Sequence, residues 1–256
     1  MKYYLALLVA CLELFNSLMV SAVGQVELLA TYPSDATAFT QGLELDQHGN
    51  LLISTGLYGE SVIAHLDLKK GQLSEVRPLN KQYFGEGLTE TPFGIWQLTW
   101  REGVAFLREA ESLEEIRQAT YTGEGWGLAY DEKLQVVWMS DGSATLQQRH
   151  AETFEKLDTL KVTYQSKPVE RLNELEYANG YLYANIWQTY IIVKIDPTSG
   201  KVIAQYDLQA IVQAAEVTPI QRARMDVLNG IAHIEGDKFY VTGKRYPLVF
   251  EVVLSE

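Results

Sequence analysis

Cysteine is nearly missing from this chain: Cys11 is the only one in 256 residues. A disulfide framework is thereby excluded, as is a thiolate zinc site, which needs several sulfurs around one ion. Histidine is scarce too. His48, His65, His150 and His233 show no pairing at ligand spacing, which removes the imidazole route to a catalytic zinc. Positive charge is also short, since 21 Lys and Arg stand against 33 Asp and Glu for a formal net charge of −12. Nucleic-acid affinity comes largely from Lys and Arg displacing counterions, so a nucleic-acid partner is excluded. No G-x-S-x-G stretch is present, which leaves a serine hydrolase without its nucleophile elbow. No apolar run is long enough to span a bilayer: MKYYLALLVACLELFNSLMVSAVG is interrupted by Glu13 and Asn16.

That N-terminal stretch has Lys2 ahead of the apolar residues and the small pair Ser21 and Ala22 after them, the layout of a secretory signal. The expected organisation is an export signal over 1–22 and one domain over 23–256, placed in the periplasm or secreted, with no membrane attachment after cleavage. A lipid-attachment reading of LVAC at Leu8 to Cys11 leaves too short an apolar segment and ranks below ordinary cleavage. A chain that loses its one cysteine with the signal survives an oxidising compartment without needing it.

What the chain has in quantity is a repeat. Five segments align, beginning FTQGLELDQHGNLLISTGLYG, FGEGLTETPFGIWQLTW, GEGWGLAYDEKLQVVWMSDGS, RLNELEYANGYLYANIWQ and VLNGIAHIEGDKFYVTGKRYP. Each runs a short alternating strand, a turn, and a second β-rich strand, and Asn179-Gly180 is the strongest of the turn signals. Third strands follow in all five, and fourth strands in the first four. The fifth repeat ends with the chain, while QVELLATYP, Gln25 to Pro33, belongs to no repeat and can supply its missing strand. Four-stranded repeats of roughly 40 to 55 residues with a strand shared between the termini describe a closed propeller. The expected fold is thus all-β: a five-bladed β-propeller closed by an N-terminal strand. The spacing of Leu208, Ile211, Val212 and Ala215 adds one short helix, followed by a loop from Thr218-Pro219, before the last blade.

The alignment also sorts the polar residues. Gln41, Glu86, Trp126, Asn173 and Asn229 fall at the start of the first strand, which lines the channel of a propeller, and so form one ring. Thr55, Trp100, Asp141, Trp187 and Lys244 follow 14 or 15 residues later, where the antiparallel second strand returns to the same face. One pocket is expected, walled by Trp100, Trp126 and Trp187 and holding Gln41, Glu86, Asn173, Asn229 and Lys244. Aromatic walls around a few convergent polar groups suit a small molecule or a chain end. Trp96 and Trp138 stand mid-strand and read as packing between blades.

The same motifs, FTQGL, FGEGL, GEGWGL, SDGS, LNELEY, ANIWQ, LNGIA and TGK, occur in this order in the plant and bacterial type of glutaminyl cyclase, which the chain resembles from about Leu28 to its end. The resemblance implies a five-bladed propeller that converts the N-terminal glutamine of a peptide or protein into pyroglutamate and releases ammonia. It places active-site positions on Phe39, Gln41, Glu86, Trp100, Trp126, Asn173, Trp187 and Lys244. No metal or other cofactor is expected, and the chain is expected to be a monomer. Tyr246 in GKRYP departs from the tryptophan common there, which affects the expected pocket rim.

The chemistry suits the residues. The peptide's own α-amine, with a pKa near 8, attacks its side-chain amide carbon, so no protein nucleophile is required. An acid must protonate the departing ammonia, and donors must meet the carbonyl oxygen as it gains charge. Glu86 is the only acid of the ring and takes the first role, with its pKa raised among aromatic walls. Lys244 or Asn173 takes the second, while Gln41 holds the substrate backbone. Two rivals remain: a calcium-dependent propeller lactonase, in which a glutamate and asparagines hold a hard cation, and a non-catalytic propeller that binds a protein. Lys244 beside the site argues against the cation.

Overall fold

Alternating hydrophobicity with turns at short intervals folds into five antiparallel sheets arranged as the blades of a propeller, in a computed structural model that describes residues 22–256. The expected signal up to residue 21, with Cys11, lies outside the described residues. Blade 1 holds Thr40–Leu45, Leu51–Thr55, Val62–Asp67 and Gln72–Pro78, and blade 2 holds Gly85–Thr91, Gly94–Thr99, Val104–Arg108 and Glu115–Thr120. Blade 3 holds Leu128–Asp131, Val136–Met139, Thr145–His150 and Lys156–Lys161. Blade 4 holds Leu172–Ala178, Tyr181–Ile186, Ile191–Ile195 and Val202–Asp207. Blade 5 takes Leu228–Glu235, Lys238–Gly243 and Leu248–Ser255 from the C-terminal end, and Gln25–Pro33 closes it antiparallel to its third strand. Closure leaves no inner sheet edge open to another chain. Among the described residues no helix is long and apolar enough to cross a membrane.

Burial follows position in the blade. Inner strands are buried along nearly their whole length, whereas outer strands such as Gln72–Pro78 alternate exposed and half-buried residues. The core lies between neighbouring blades. Trp96 and Phe154 pack at 4.6 Å between blades 2 and 3, and Tyr183 meets Phe239 at 4.7 Å between blades 4 and 5. Trp96 and Trp138 are fully buried, as their mid-strand positions lead one to expect. Each large apolar side chain sealed this way contributes about 1.5–3 kcal/mol.

The glycine that follows four of the five ring residues, all but Asn173, has a steric cause. A Cβ at Gly87 would stand 2.6 Å from the Trp126 carbonyl oxygen, and the Gly87 N–H donates to that oxygen at 2.7 Å. A side chain there would push blades 2 and 3 apart.

Four of the five ring residues, all but Trp126, also sit at interruptions of the strand register. The pairing skips one residue between Thr40 and Gly42, between Gly85 and Leu88, between Leu172 and Leu175, and between Leu228 and Ile231. Each is a β-bulge at the same place in a different blade, and a bulge re-aims the side chain it carries. Strand alternation alone did not reveal it.

The region before blade 5 holds two helices rather than one. Gln209–Ala214 buries Val212, with Leu208 buried just before it and Ile211 and Ala215 packed on the same cluster, which is the expected apolar face. Pro219–Arg224 is a second helix where a loop was expected: Thr218 caps it through a reciprocal bond with Gln221, and Pro219 supplies a preset φ in the first turn. Arg222 then donates to the carbonyls of Val212 and Ala215, joining the two helices. Two further elements add to the expected set, a short strand Ala22–Val23 parallel to Val202–Asp207 and a hairpin of Thr163–Tyr164 with Lys167–Pro168. Asn179 and Gly180 have φ of 54° and 82°, the left-handed pair that a tight hairpin requires.

Candidate active site

The bulges and second-strand ends meet at one mouth of the channel around a cavity of about 410 Å³. Its lining includes Phe39, Gln41, Phe84, Glu86, Trp100, Trp126, Asn173, Trp187 and Lys244. Eight expected positions from all five repeats are thereby brought together. Phe84 heads the FGEGL motif and buttresses the wall, with Phe39 edge-on at 6.2 Å and Trp100 at 5.4 Å. Trp126 and Trp187 meet edge to face at 5.5 Å.

Glu86 is 4% exposed and accepts one hydrogen bond, from Gln41 Nε2 at 3.0 Å. Burial pushes its carboxyl well above the ordinary carboxylate range; Lys244 pulls it back, while Glu124 and Glu102 push it further up. Lys244 is buried against Phe39, its Nζ 4.9 Å from the ring centroid. Burial lowers its pKa, against the opposing charges of Glu86 and Asp226. A carboxyl held above its ordinary range and an ammonium held below its own thus line the same cavity. Asn173 adds a side-chain oxygen that is buried without a protein partner.

Asn229 does not line the cavity. It is fully buried behind Gln41, where its Nδ2 donates to Gln41 Oε1 at 3.3 Å and to the Thr40 carbonyl at 3.2 Å. Holding the amide oxygen of Gln41 leaves the amide nitrogen turned to Glu86, so Asn229 acts on the cavity through Gln41. Two second-strand positions also fall outside. Thr55 accepts from the Val62 N–H, and Asp141 caps its own turn by accepting from Ser143. Tyr246 is not at the rim but 1% exposed between blades, 6.4 Å from Phe250. The sequence reading missed Phe84, Leu57, Gln188, Asp226 and Val227 as lining residues, because all five lie on connecting segments where no periodicity marks a direction.

A second cavity, about 440 Å³, opens between the outer strands of blades 1 and 2. Its cations are engaged: Arg77 pairs with Glu114 at 2.7 Å, and Arg108 donates to Gln97 and to the Leu113 carbonyl. Among the described residues no three His, Cys, Asp or Glu converge as a metal site.

Fold and cavity define a five-bladed propeller with an aromatic-walled, acid-bearing pocket at one end of its channel. Residues 4–254 match the glutamine cyclotransferase family model, and the chain belongs to that family. It is 33% identical over 236 residues to the glutaminyl-peptide cyclotransferase of Arabidopsis thaliana, covering 91% of this chain and 72% of that protein. The crystal structure of Myxococcus xanthus glutaminyl cyclase superposes with a TM-score of 0.82 at 34% identity, over 92% of this chain and 99% of that one. A Xanthomonas campestris gluconolactonase shares the fold alone, at 16% identity and a TM-score of 0.55 over 86% of this chain and 74% of that one.

Proposed function

We propose that this protein cyclises the N-terminal glutamine of peptides or proteins to pyroglutamate, with Glu86 carrying the proton. One observation supports this reading above the others: a single carboxyl with a raised pKa, bonded on one side by Gln41, opens into an aromatic cavity. The α-amine attacks the side-chain amide carbon, forming the lactam C–N bond. The proton it sheds passes to Glu86 and then to the amide nitrogen, which leaves as ammonia when its bond to carbon breaks. The Trp100, Trp126 and Trp187 walls fold the glutamine stem back and exclude water, which is much of the catalytic task. Lys244 and Asn173 are the donors available to the carbonyl oxygen as it gains negative charge.

The test is incubation with a glutamine-initiated peptide, read by mass spectrometry for loss of ammonia, with and without chelator. Turnover unaffected by chelation is expected. An unchanged peptide in both samples overturns the reading, and loss of turnover on chelation returns the lactonase-like cation site. The donor to the oxygen is assigned by comparing Lys244→Met with Asn173→Ala: the residue that polarises it lowers kcat, by about 100-fold, whereas one that only binds raises KM. The proposal extends to the N-terminus: residues 1–22 act as a cleaved export signal, and the mature monomer works in the periplasm or outside the cell. N-terminal sequencing of the exported protein and its sedimentation decide those points.

A further inference from the structure

Glu124 lies beside the cavity rather than in its lining, on the turn between blades 2 and 3. One of its oxygens, Oε2, accepts from Trp100 Nε1 at 2.8 Å and from Trp126 Nε1 at 3.0 Å. These indoles come from different blades, one just after Gly94–Thr99 and the other just before Leu128–Asp131. The second oxygen accepts from Arg101 Nε at 3.0 Å, and the same guanidinium lies 3.7 Å over the Trp100 ring. Burial opposes ionisation of Glu124, but the bonds from Trp126, Trp100 and Arg101 outweigh it and hold the carboxyl below its ordinary value.

We propose that Glu124 is a positioning residue for the pocket, fixing the rotation of Trp100 and Trp126 through one shared oxygen and thereby the width of the glutamine-binding wall. The inference rests on the reading of this cavity as the cyclisation site. A tryptophan ring turns easily about its outer side-chain bond unless packing or its N–H holds it. Trp126 is held from both directions. Its ring lies against Gly142, where a Cβ would come within 2.7 Å of it, and its N–H is tied to Glu124. Trp187 leans edge-on against Trp126, so a rotation there propagates to the third indole. The rival description is a rim ion pair with Arg101, with side chains 59% and 35% exposed, of the kind that contributes little. That description accounts for Oε1 and leaves the double bond at Oε2 without a purpose.

Glu124→Ala, Glu124→Gln and the pair Trp100→Phe/Trp126→Phe separate the two, with steady-state kinetics on a glutamine-initiated peptide and near-ultraviolet circular dichroism as readouts. The alanine variant should raise KM about tenfold with kcat within about threefold, and weaken the indole signal of the dichroism spectrum. The glutamine variant keeps an oxygen able to accept from both indoles and should recover most of both. In the double-phenylalanine background, which has no indole N–H to bind, adding Glu124→Ala should change KM less than about twofold. Wild-type KM and dichroism in Glu124→Ala overturn the proposal, as does a Glu124→Gln variant as impaired as the alanine one. Should Glu124→Ala not fold, Glu124→Asp, one methylene short of both indoles, carries the same comparison. Glu86→Gln run in parallel keeps the two ideas apart: if it retains turnover, the cavity is not the cyclisation site, and the dichroism still decides whether Glu124 orients the indoles.

Discussion

Glu86 in blade 2 and Glu174 in blade 4 stand one position apart in the repeat and are almost sealed from water, at 4% and 0% exposure. Burial raises the pKa of both. Their surroundings then diverge. Glu174 occupies the position that is Gly42, Gly87, Gly127 and Gly230 in the other blades, and its two oxygens accept the backbone N–H groups of Leu43 at 3.2 Å and Ile231 at 2.9 Å. It links blade 4 to blades 1 and 5 with its acceptors engaged. Glu86 accepts from Gln41 alone and faces the cavity. Burial by itself does not make a buried acid reactive. What distinguishes Glu86 is that its remaining hydrogen-bonding capacity is directed at space a substrate can enter.

The sharpest break in this comparison is Glu86→Gln. Turnover should fall about 100- to 10,000-fold, the usual worth of a general acid or base, while the variant melts at or above the wild-type temperature. Peptide assays beside a thermal melt check both halves, and near-normal turnover would remove Glu86 from the chemistry. Glu174→Gln should do the reverse. Whether or not Glu174 carries a proton, both its oxygens can accept, but an amide nitrogen cannot, so one backbone N–H loses its partner. The expected cost is about 1–3 kcal/mol in denaturant unfolding, with kcat/KM of the folded protein retained.

A smaller effect is expected from Asn229→Ala. Releasing the Gln41 amide should lower kcat/KM about tenfold, and Gln41→Ala added to it should lower it little further, since both act through one amide. The smallest effect is the dependence of stability on pH. A carboxyl whose folded pKa is raised contributes its full share of stability below its unfolded pKa, and that share is lost as pH rises through the folded value. Melting temperature should therefore fall as pH rises above about 4.5 toward those raised values, and fall less steeply in Glu86→Gln. An equal slope in the two proteins would mean that Glu86 is not held above its ordinary range.

Much of this was legible in the chain. Strand alternation, turn residues and the unpaired segment QVELLATYP determine the five blades and their closure, because these are local signals repeated five times. Repetition also singles out the ring, since Gln41, Glu86, Trp126 and Asn173 must share a depth once the blades are equivalent. The second helix was missed because Thr218-Pro219 is both a loop signal and a helix start, and packing through Arg222 selected the latter.

Other features rest on contacts between residues far apart in sequence, which no local pattern encodes. Asn229 stands behind Gln41 across 188 positions, and Glu174 reaches Leu43 across 131. The Glu124 carboxylate gathers two indoles at one oxygen only after blades 2 and 3 have closed together. The sequence by itself determined the propeller, the ring and the identity of its one acid, since periodicity and repetition are properties of the chain. Only the tertiary structure decided which buried carboxylate faces a cavity and which is saturated by backbone, because that depends on where donors from other blades arrive.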